Sequence, residues 1–240
     1  ALQYKGSMVR AGKSPATVNR RLSALRSVVS LAKTLGLIGW TLEVGNEPAQ
    51  AYRDTRGPGR HAVRAMLEEI QGESPKAMRD RVIVRLMYDL ALRRGEVASL
   101  RLQDVDFEGR RVWVKGKGRS GEREALTLPG KTVDALGAWV KVRGVEAGSL
   151  FVNYDRAGKG KSLTDTALYY IIRRLGEKVG IVTRPHGIRH AAITEALDRT
   201  RDPRAVQRFS RHRDLATILR YDDNREDLAG KVAEAVAAGL

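Results

Sequence analysis

Residues 184 to 190 read Arg-Pro-His-Gly-Ile-Arg-His and set two of the chain's four histidines beside two arginines. A metal, a packed interior or an anion could each require such a cluster. His186 and His190 are four apart and would share one face of a helix, as two metal ligands must. Against a metal, Arg189 falls on the same side, no glutamate occupies the H-E-x-x-H position, and the chain has no cysteine to complete a set. Packing is a common fate for histidine and stays open for His190 and His61. Pro185 marks a helix start, however, where free backbone amides favour an anion, and Arg189 adds a forked, permanent cation one turn later. The segment therefore points toward a phosphate.

A bound nucleotide is a poor source for that phosphate. Residues 116–121 (GKGRSG) and 158–162 (GKGKS) both look like phosphate loops, but a Walker pattern ending at Gly160-Lys161-Ser162 would need glycine where the chain has Asp155. Both stretches read as basic surface loops. A larger polyanion fits the composition better: Lys and Arg number 44 against 28 acidic residues, a formal charge of +16 spread along the whole sequence. The absence of cysteine excludes disulfides, thiolate metal sites and a cysteine nucleophile. No stretch reaches the ~20 apolar residues of a spanning helix, and no signal-peptide core is visible. The cytoplasm or nucleoid is the expected location.

The elements that must hold the cluster follow from periodicity and caps. Ser14 and Pro15 start a helix that runs to about Gly36, with Leu22, Leu25, Val29 and Ala32 on one face. Residues 1 to 13 offer too little to cover that face, so residues 1–45 read as a short, incomplete helical domain. Residues 46–59 lose periodicity and collect Gly, Pro and polar residues, as a linker does. Residues 60–240 form the second domain. It begins with a short helix, followed by one starting at Ser74 and Pro75, striped by Val82, Leu86 and Leu90 and interrupted at Gly95. Runs at 112–114 and 125–128 flank a basic Gly-rich turn and predict a small antiparallel sheet. Helices are expected at about 131–142, 164–178, 187–199, 203–210, 214–221 and 226–237. The fold class is mainly α (α+β), a helical domain around one small sheet.

The segments LALRRGEVASL (90–100), VWVKGKG (112–118), HGIR (186–189) and SRHRDLATILRYDDN (210–224) together resemble the tyrosine recombinase, or phage integrase, family. That family's pattern has an arginine followed by a glutamate, a hairpin lysine, H-x-x-R, and a histidine nine residues before a tyrosine. Here these are Arg93 with Glu96, Lys117, His186 and Arg189, and His212 before Tyr221. The match covers roughly residues 58 to 240, with a further likeness at 14 to 45 to the end of the family's core-binding domain.

The resemblance implies site-specific DNA recombination on double-stranded DNA, through a covalent 3′-phosphotyrosyl intermediate and a Holliday junction, with no nucleotide or metal cofactor. Arg93 and Arg189 would clamp the scissile phosphate, with His212 adding a hydrogen bond. Tyr221 would attack, His186 would serve as base, and Lys117 would protonate the leaving 5′ oxygen. Glu96 would orient rather than react, although Arg93 and Glu96 could also form an ordinary i,i+3 ion pair. Lys115 competes for the lysine role, since it would lie on the same side of a strand as Lys117. Tyr221 precedes Asp222 and Asp223, a polar setting that disfavours burial, and those two acids are expected to face away and cap the next helix. Leu228, Val232 and Ala235 line one face of the last helix, which would either pack on its own domain or dock on a neighbour in a homo-tetramer on DNA. The chain departs from the pattern at Arg211, where the family usually has glycine, and at Ala216, the first of two positions, Ala216 and Thr217, where the family has two threonines. Relaxation of the type IB topoisomerase kind and a catalytically silent DNA-binding accessory are the alternatives.

Overall fold

The computed structural model describes residues 1–48, 57–116, 122–156, 158–219, 221 and 228–239. The chain divides into two compact units, Ala1–Asp54 and Thr55–Leu240.

In the first unit, α1 (Leu2–Arg10) packs against α2 (Pro15–Thr34). The Ser14 hydroxyl accepts the Thr17 amide at 3.4 Å and Pro15 fills the first helical position, so this start forms as its sequence dictates. The expectation that residues 1–13 supply no partner is overturned. Met8 of α1 joins Val18, Leu22 and Val44 in a small core. The reason lies downstream: residues 42–47 return across both helices. Asn19 pairs with the Glu47 backbone through both amide atoms, and the Arg26 guanidinium reaches Val44 O at 2.8 Å. Leu25, assigned to the inward face, stays 37% exposed because that strap covers only the Val18 and Leu22 side.

The second unit runs α3 (Gly59–Glu69), α4 (Pro75–Asp89), α5 (Arg94–Ser99), β1 (Val105–Asp106), β2 (Arg111–Lys115), β3 (Arg123–Thr127), α6 (Gly130–Arg143), α7 (Asp165–Lys178), α8 (Pro185–Thr200), α9 (Pro203–Ser210), α10 (Leu215–Leu219) and α11 (Leu228–Ala237). The strands form an antiparallel sheet in the order β1-β2-β3, with Val112 opposite both Val105 and Leu126. Alternation along β2 buries Val112 and Val114 and leaves Arg111 and Lys115 in solvent. The main core gathers α3 to α8 and the sheet around Trp139, whose indole N–H donates to Leu150 O at 2.9 Å. A second apolar cluster joins Ala91 to α8, α9 and α10 through Ala192, Ile193, Leu197, Val206 and Ile218.

The helix expected to be interrupted at Gly95 ends earlier. α4 stops at Asp89, Ala91 takes a left-handed backbone at φ 46°, and α5 restarts with Gly95 inside it. A left-handed alanine costs roughly 1–2 kcal/mol. Hydrogen bonds from the distant Arg189 and Arg211 to the Ala91 carbonyl offset that cost.

Candidate active site

Three separate chain segments meet beside this break. Arg93 sits in extended backbone at the N-cap of α5. Glu96, one turn on and 5% exposed, accepts the Arg93 backbone N–H with Oε2 at 2.7 Å and the Arg93 Nη1 with Oε1 at 2.7 Å. One carboxylate thus holds both the backbone and the guanidinium of Arg93. Arg93 and Glu96 do form the i,i+3 ion pair, but with the carboxylate buried rather than on the surface.

The second segment is the start of α8, where Pro185 occupies the first helical position as expected. Arg189 is 1% exposed and donates through Nη1 to Ala91 O and through Nη2 to Ser210 O, tying together segments 98 and 21 residues away. Gly187 stands where a Cβ would lie 2.7 Å from Thr183 Oγ1 and 3.3 Å from Pro58 Cδ, so only glycine lets neighbouring chain pass this turn.

The third segment leaves α9. Arg211 takes a left-handed backbone at φ 56°, followed by His212. The Ser210 hydroxyl donates to Gln207 O at 3.3 Å, so its oxygen is free to accept His212 Nδ1–H at 2.8 Å. Nε2 of that tautomer carries the lone pair, and Arg189 Nη2 stands 3.4 Å from it.

Tyr221, beyond α10, closes the cluster. Its ring centroid lies 4.9 Å from that of His190 and 6.2 Å from that of His212. The expectation of an exposed tyrosine is overturned: Tyr221 is 6% exposed and belongs to the second apolar cluster. A polar sequence neighbourhood says little about burial when the ring is covered by α8 and α9. His190 and His186 bring their Nε2 atoms within 2.6 Å, so one imidazole donates to the other.

Burial and crowding by cations set the protonation states. Desolvation, then His190, Arg189 and Arg93, push His186 down to about 4, although the residue as a whole is exposed and lines the cleft. Desolvation, then Arg189 and Arg93, bring His212 down to about 4. Both rings are therefore neutral at pH 7, and His186 is competent to accept a proton. Burial and the adjacent Arg93 and Arg211 lower Arg189 to about 10, which leaves it charged at pH 7. Burial raises the Tyr221 phenol, while Arg189 and Arg93 work in the opposite direction.

Arg93, His186 and Arg189 open onto a cleft of about 640 Å³ that Arg94, Lys115, Tyr169 and Arg184 also line. Five permanent cations of the lining face two carboxylates, Glu96 and Asp165, so the cleft suits an anion. Lys117 lies outside the described residues, as do Asp222 and Asp223. Lys115, its rival on the sequence, is exposed at the end of β2 and lines the cleft. In α11 the side chains of Leu228 and Val232 are likewise not described, and Ala235 is exposed.

Three contributors escaped the sequence reading. His190, left open there as a packed residue, stands between His186 and Tyr221. Ser210 carried no signal at all. Arg211 was visible only as a charged residue in a glycine's place, yet its guanidinium is ion-paired to Glu96 at 2.9 Å.

Residues 60–227 match the family model described as the phage integrase family. A tyrosine recombinase of Synechococcus elongatus is 40% identical over 98% of this chain and 76% of its own length. One from Synechocystis is 38% identical over 98% of this chain and 77% of its own. Among solved structures, the XerH site-specific recombinase bound to palindromic difH substrate superposes with a TM-score of 0.73 at 20% identity, covering 95% of this chain and 69% of that one. The Tn1549 transposon integrase in complex with transposon right end DNA gives 0.73 at 19% identity, covering 98% and 84%. These two likenesses are of fold.

Proposed function

The chain belongs to the phage integrase family of tyrosine recombinases, and on that footing we propose that it cuts and rejoins double-stranded DNA at a specific site through a 3′-phosphotyrosyl intermediate. The observation that carries this reading is the meeting of Arg93, His186, Arg189, His212 and Tyr221, drawn from three distant segments, beside one cationic cleft. A phosphodiester in that cleft would have its non-bridging oxygens opposite Arg93 and Arg189, whose fixed positive charge stabilises the extra negative charge of the transition state. Tyr221 Oη attacks phosphorus, and its proton passes to neutral His186. The P–O5′ bond breaks, and the 5′ oxygen takes a proton from a lysine of the β2–β3 hairpin, for which Lys117 is the candidate by position and Lys115 by its place at the cleft. A 5′ hydroxyl from another strand reverses these steps, so exchange proceeds through a Holliday junction with no external energy source, nucleotide or metal.

His212 donates to the phosphate only after its proton moves from Nδ1 to Nε2, which a turn of the Ser210 hydroxyl allows. Because Tyr221 is 6% exposed within its apolar cluster, attack requires that DNA binding draw the ring out. The first unit is read as part of a core-binding domain, the stretch between the Glu47 anchor and α3 as its linker, and α11 as the contact that closes a homo-tetramer on DNA. The place of action is then the nucleoid.

The test is a duplex nicked beside the cleavage position, so that the freed strand diffuses away, drawn from sequences bordering the chain's own gene and run on a denaturing gel. Wild type should yield a covalent protein–DNA band and Tyr221→Phe none, with binding of the same DNA retained. A band from Tyr221→Phe would remove Tyr221 from the mechanism, and no band from wild type on DNA that it binds would favour a silent accessory.

A further inference from the structure

We propose that Arg211 is a positioning residue for the phosphate clamp, a third arginine that acts through Glu96 and the Leu90–Ala91 turn instead of touching DNA. Arg211 sits in left-handed backbone, where glycine is the unstrained choice, and its side chain turns inward to 7% exposure. Its guanidinium donates to Leu90 O at 3.1 Å, to Phe209 O and Ala91 O at 3.3 Å each, and to Glu96 Oε2 at 2.9 Å. Nε is buried with no partner among the described residues, a cost accepted for the four bonds that Nη1 and Nη2 make.

The carbonyls of Leu90 and Ala91 are at the C-terminal end of α4, where free acceptors and the negative end of the helix dipole call for a cation. Arg189 shares Ala91 O with Arg211. Glu96 Oε2 accepts both Arg211 Nη2 and the Arg93 backbone N–H. The Arg211 carbonyl in turn receives Arg93 Nη2 at 3.3 Å. One residue therefore holds the turn that Arg189 grips, the carboxylate that orients Arg93, and the far end of Arg93 itself. By pairing with Glu96, Arg211 also offsets a carboxylate that would otherwise compete with a phosphate for Arg93.

This role rests on the phosphodiester cleavage proposed above, and its test separates the two. Wild type, Arg211→Gly and Arg211→Lys are compared on nicked duplexes carrying either a phosphate or a methylphosphonate at the position where wild type forms its adduct. Glycine suits the left-handed backbone, so Arg211→Gly removes the latch while relaxing the turn. On the phosphate, Arg211→Gly should form adduct about 100-fold more slowly with DNA affinity unchanged, the scale of a misplaced catalytic group. Arg211→Lys should fall between, since an ammonium reaches Glu96 but cannot span three carbonyls as well. On the methylphosphonate, where one charged oxygen is gone and the clamp has less to neutralise, the ratio of wild type to Arg211→Gly should shrink. Equal rates on phosphate, or the same loss on both substrates, would overturn the role. No adduct from wild type on DNA it binds would overturn the cleavage reading and this role with it.

Discussion

Replacing Glu96 by glutamine keeps its volume and removes its charge. The carboxylate accepts three hydrogen bonds, from the Arg93 amide, Arg93 Nη1 and Arg211 Nη2, at 2.7, 2.7 and 2.9 Å. In the Oε2 place the single carboxamide oxygen can keep the Arg93 amide and Arg211 Nη2, but the NH2 then faces Arg93 Nη1. The Arg93 Nη1 bond is lost at about 1.5 kcal/mol, the low end for a charge-assisted bond because its side chain is 31% exposed, and the Arg211 bond falls to neutral strength at a further cost of about 1.5 kcal/mol. The sum is roughly 3 kcal/mol. For a unit the size of residues 55–240, each kcal/mol moves Tm by about 2–4 °C, so Glu96→Gln should unfold roughly 6–12 °C lower at pH 7. Acid supplies the check on cause. Burial is the largest influence on Glu96 and works to raise its pKa, but Arg211 and the amide and guanidinium of Arg93 together outweigh it, and the net shift is downward. A depressed carboxylate stabilises above its unfolded pKa, about 4.3, and loses that contribution as pH falls through its folded value. Calorimetric Tm values for wild type and Glu96→Gln should therefore converge as pH is lowered below about 4.3. Equal Tm values at pH 7, or a gap that does not narrow with acid, would refute the charge argument.

His186 and His212 are each held near 4 in the folded chain against 6.5 when free. Their neutral forms stabilise the fold above 6.5 and that contribution is lost as pH falls toward 4, so the Tm decline across this window should be shallower in His186→Gln and His212→Gln. With His186 as base, the adduct-forming rate of wild type should also fall on acidification through its pKa, a dependence His186→Gln should lack; an unchanged profile would assign the proton elsewhere. Gly187→Ala places a Cβ 2.7 Å from Thr183 Oγ1 and should lower stability by about 1–3 kcal/mol in urea unfolding.

Local signals made much of this protein legible. Ser-Pro pairs at 14–15 and 74–75 and Pro185 marked three helix starts, and each is one because an accepting hydroxyl or a preset φ acts within a single turn. The alternation of Val112 and Val114 about Trp113 likewise encodes one inward face of a strand. Spacing also made His186 and Arg189 neighbours, since both stand in the first turns of α8. What periodicity could not contain is contact across long stretches of chain. The α4–α5 break depends on Ala91 O receiving Arg189 and Arg211, 98 and 120 residues away, so the pattern alone reads as helix continuing to Gly95. The partner for α2 exists only because residues 42–47 fold back to close a core around Met8. Tyr221 is buried in the cluster that α8, α9 and α10 build, which its sequence neighbourhood does not reveal. The sequence by itself determined which residue types the chain brings to a phosphate. Tertiary structure alone decided that Arg211 stands behind them, because the carbonyls and carboxylate that draw its guanidinium inward lie more than a hundred residues away.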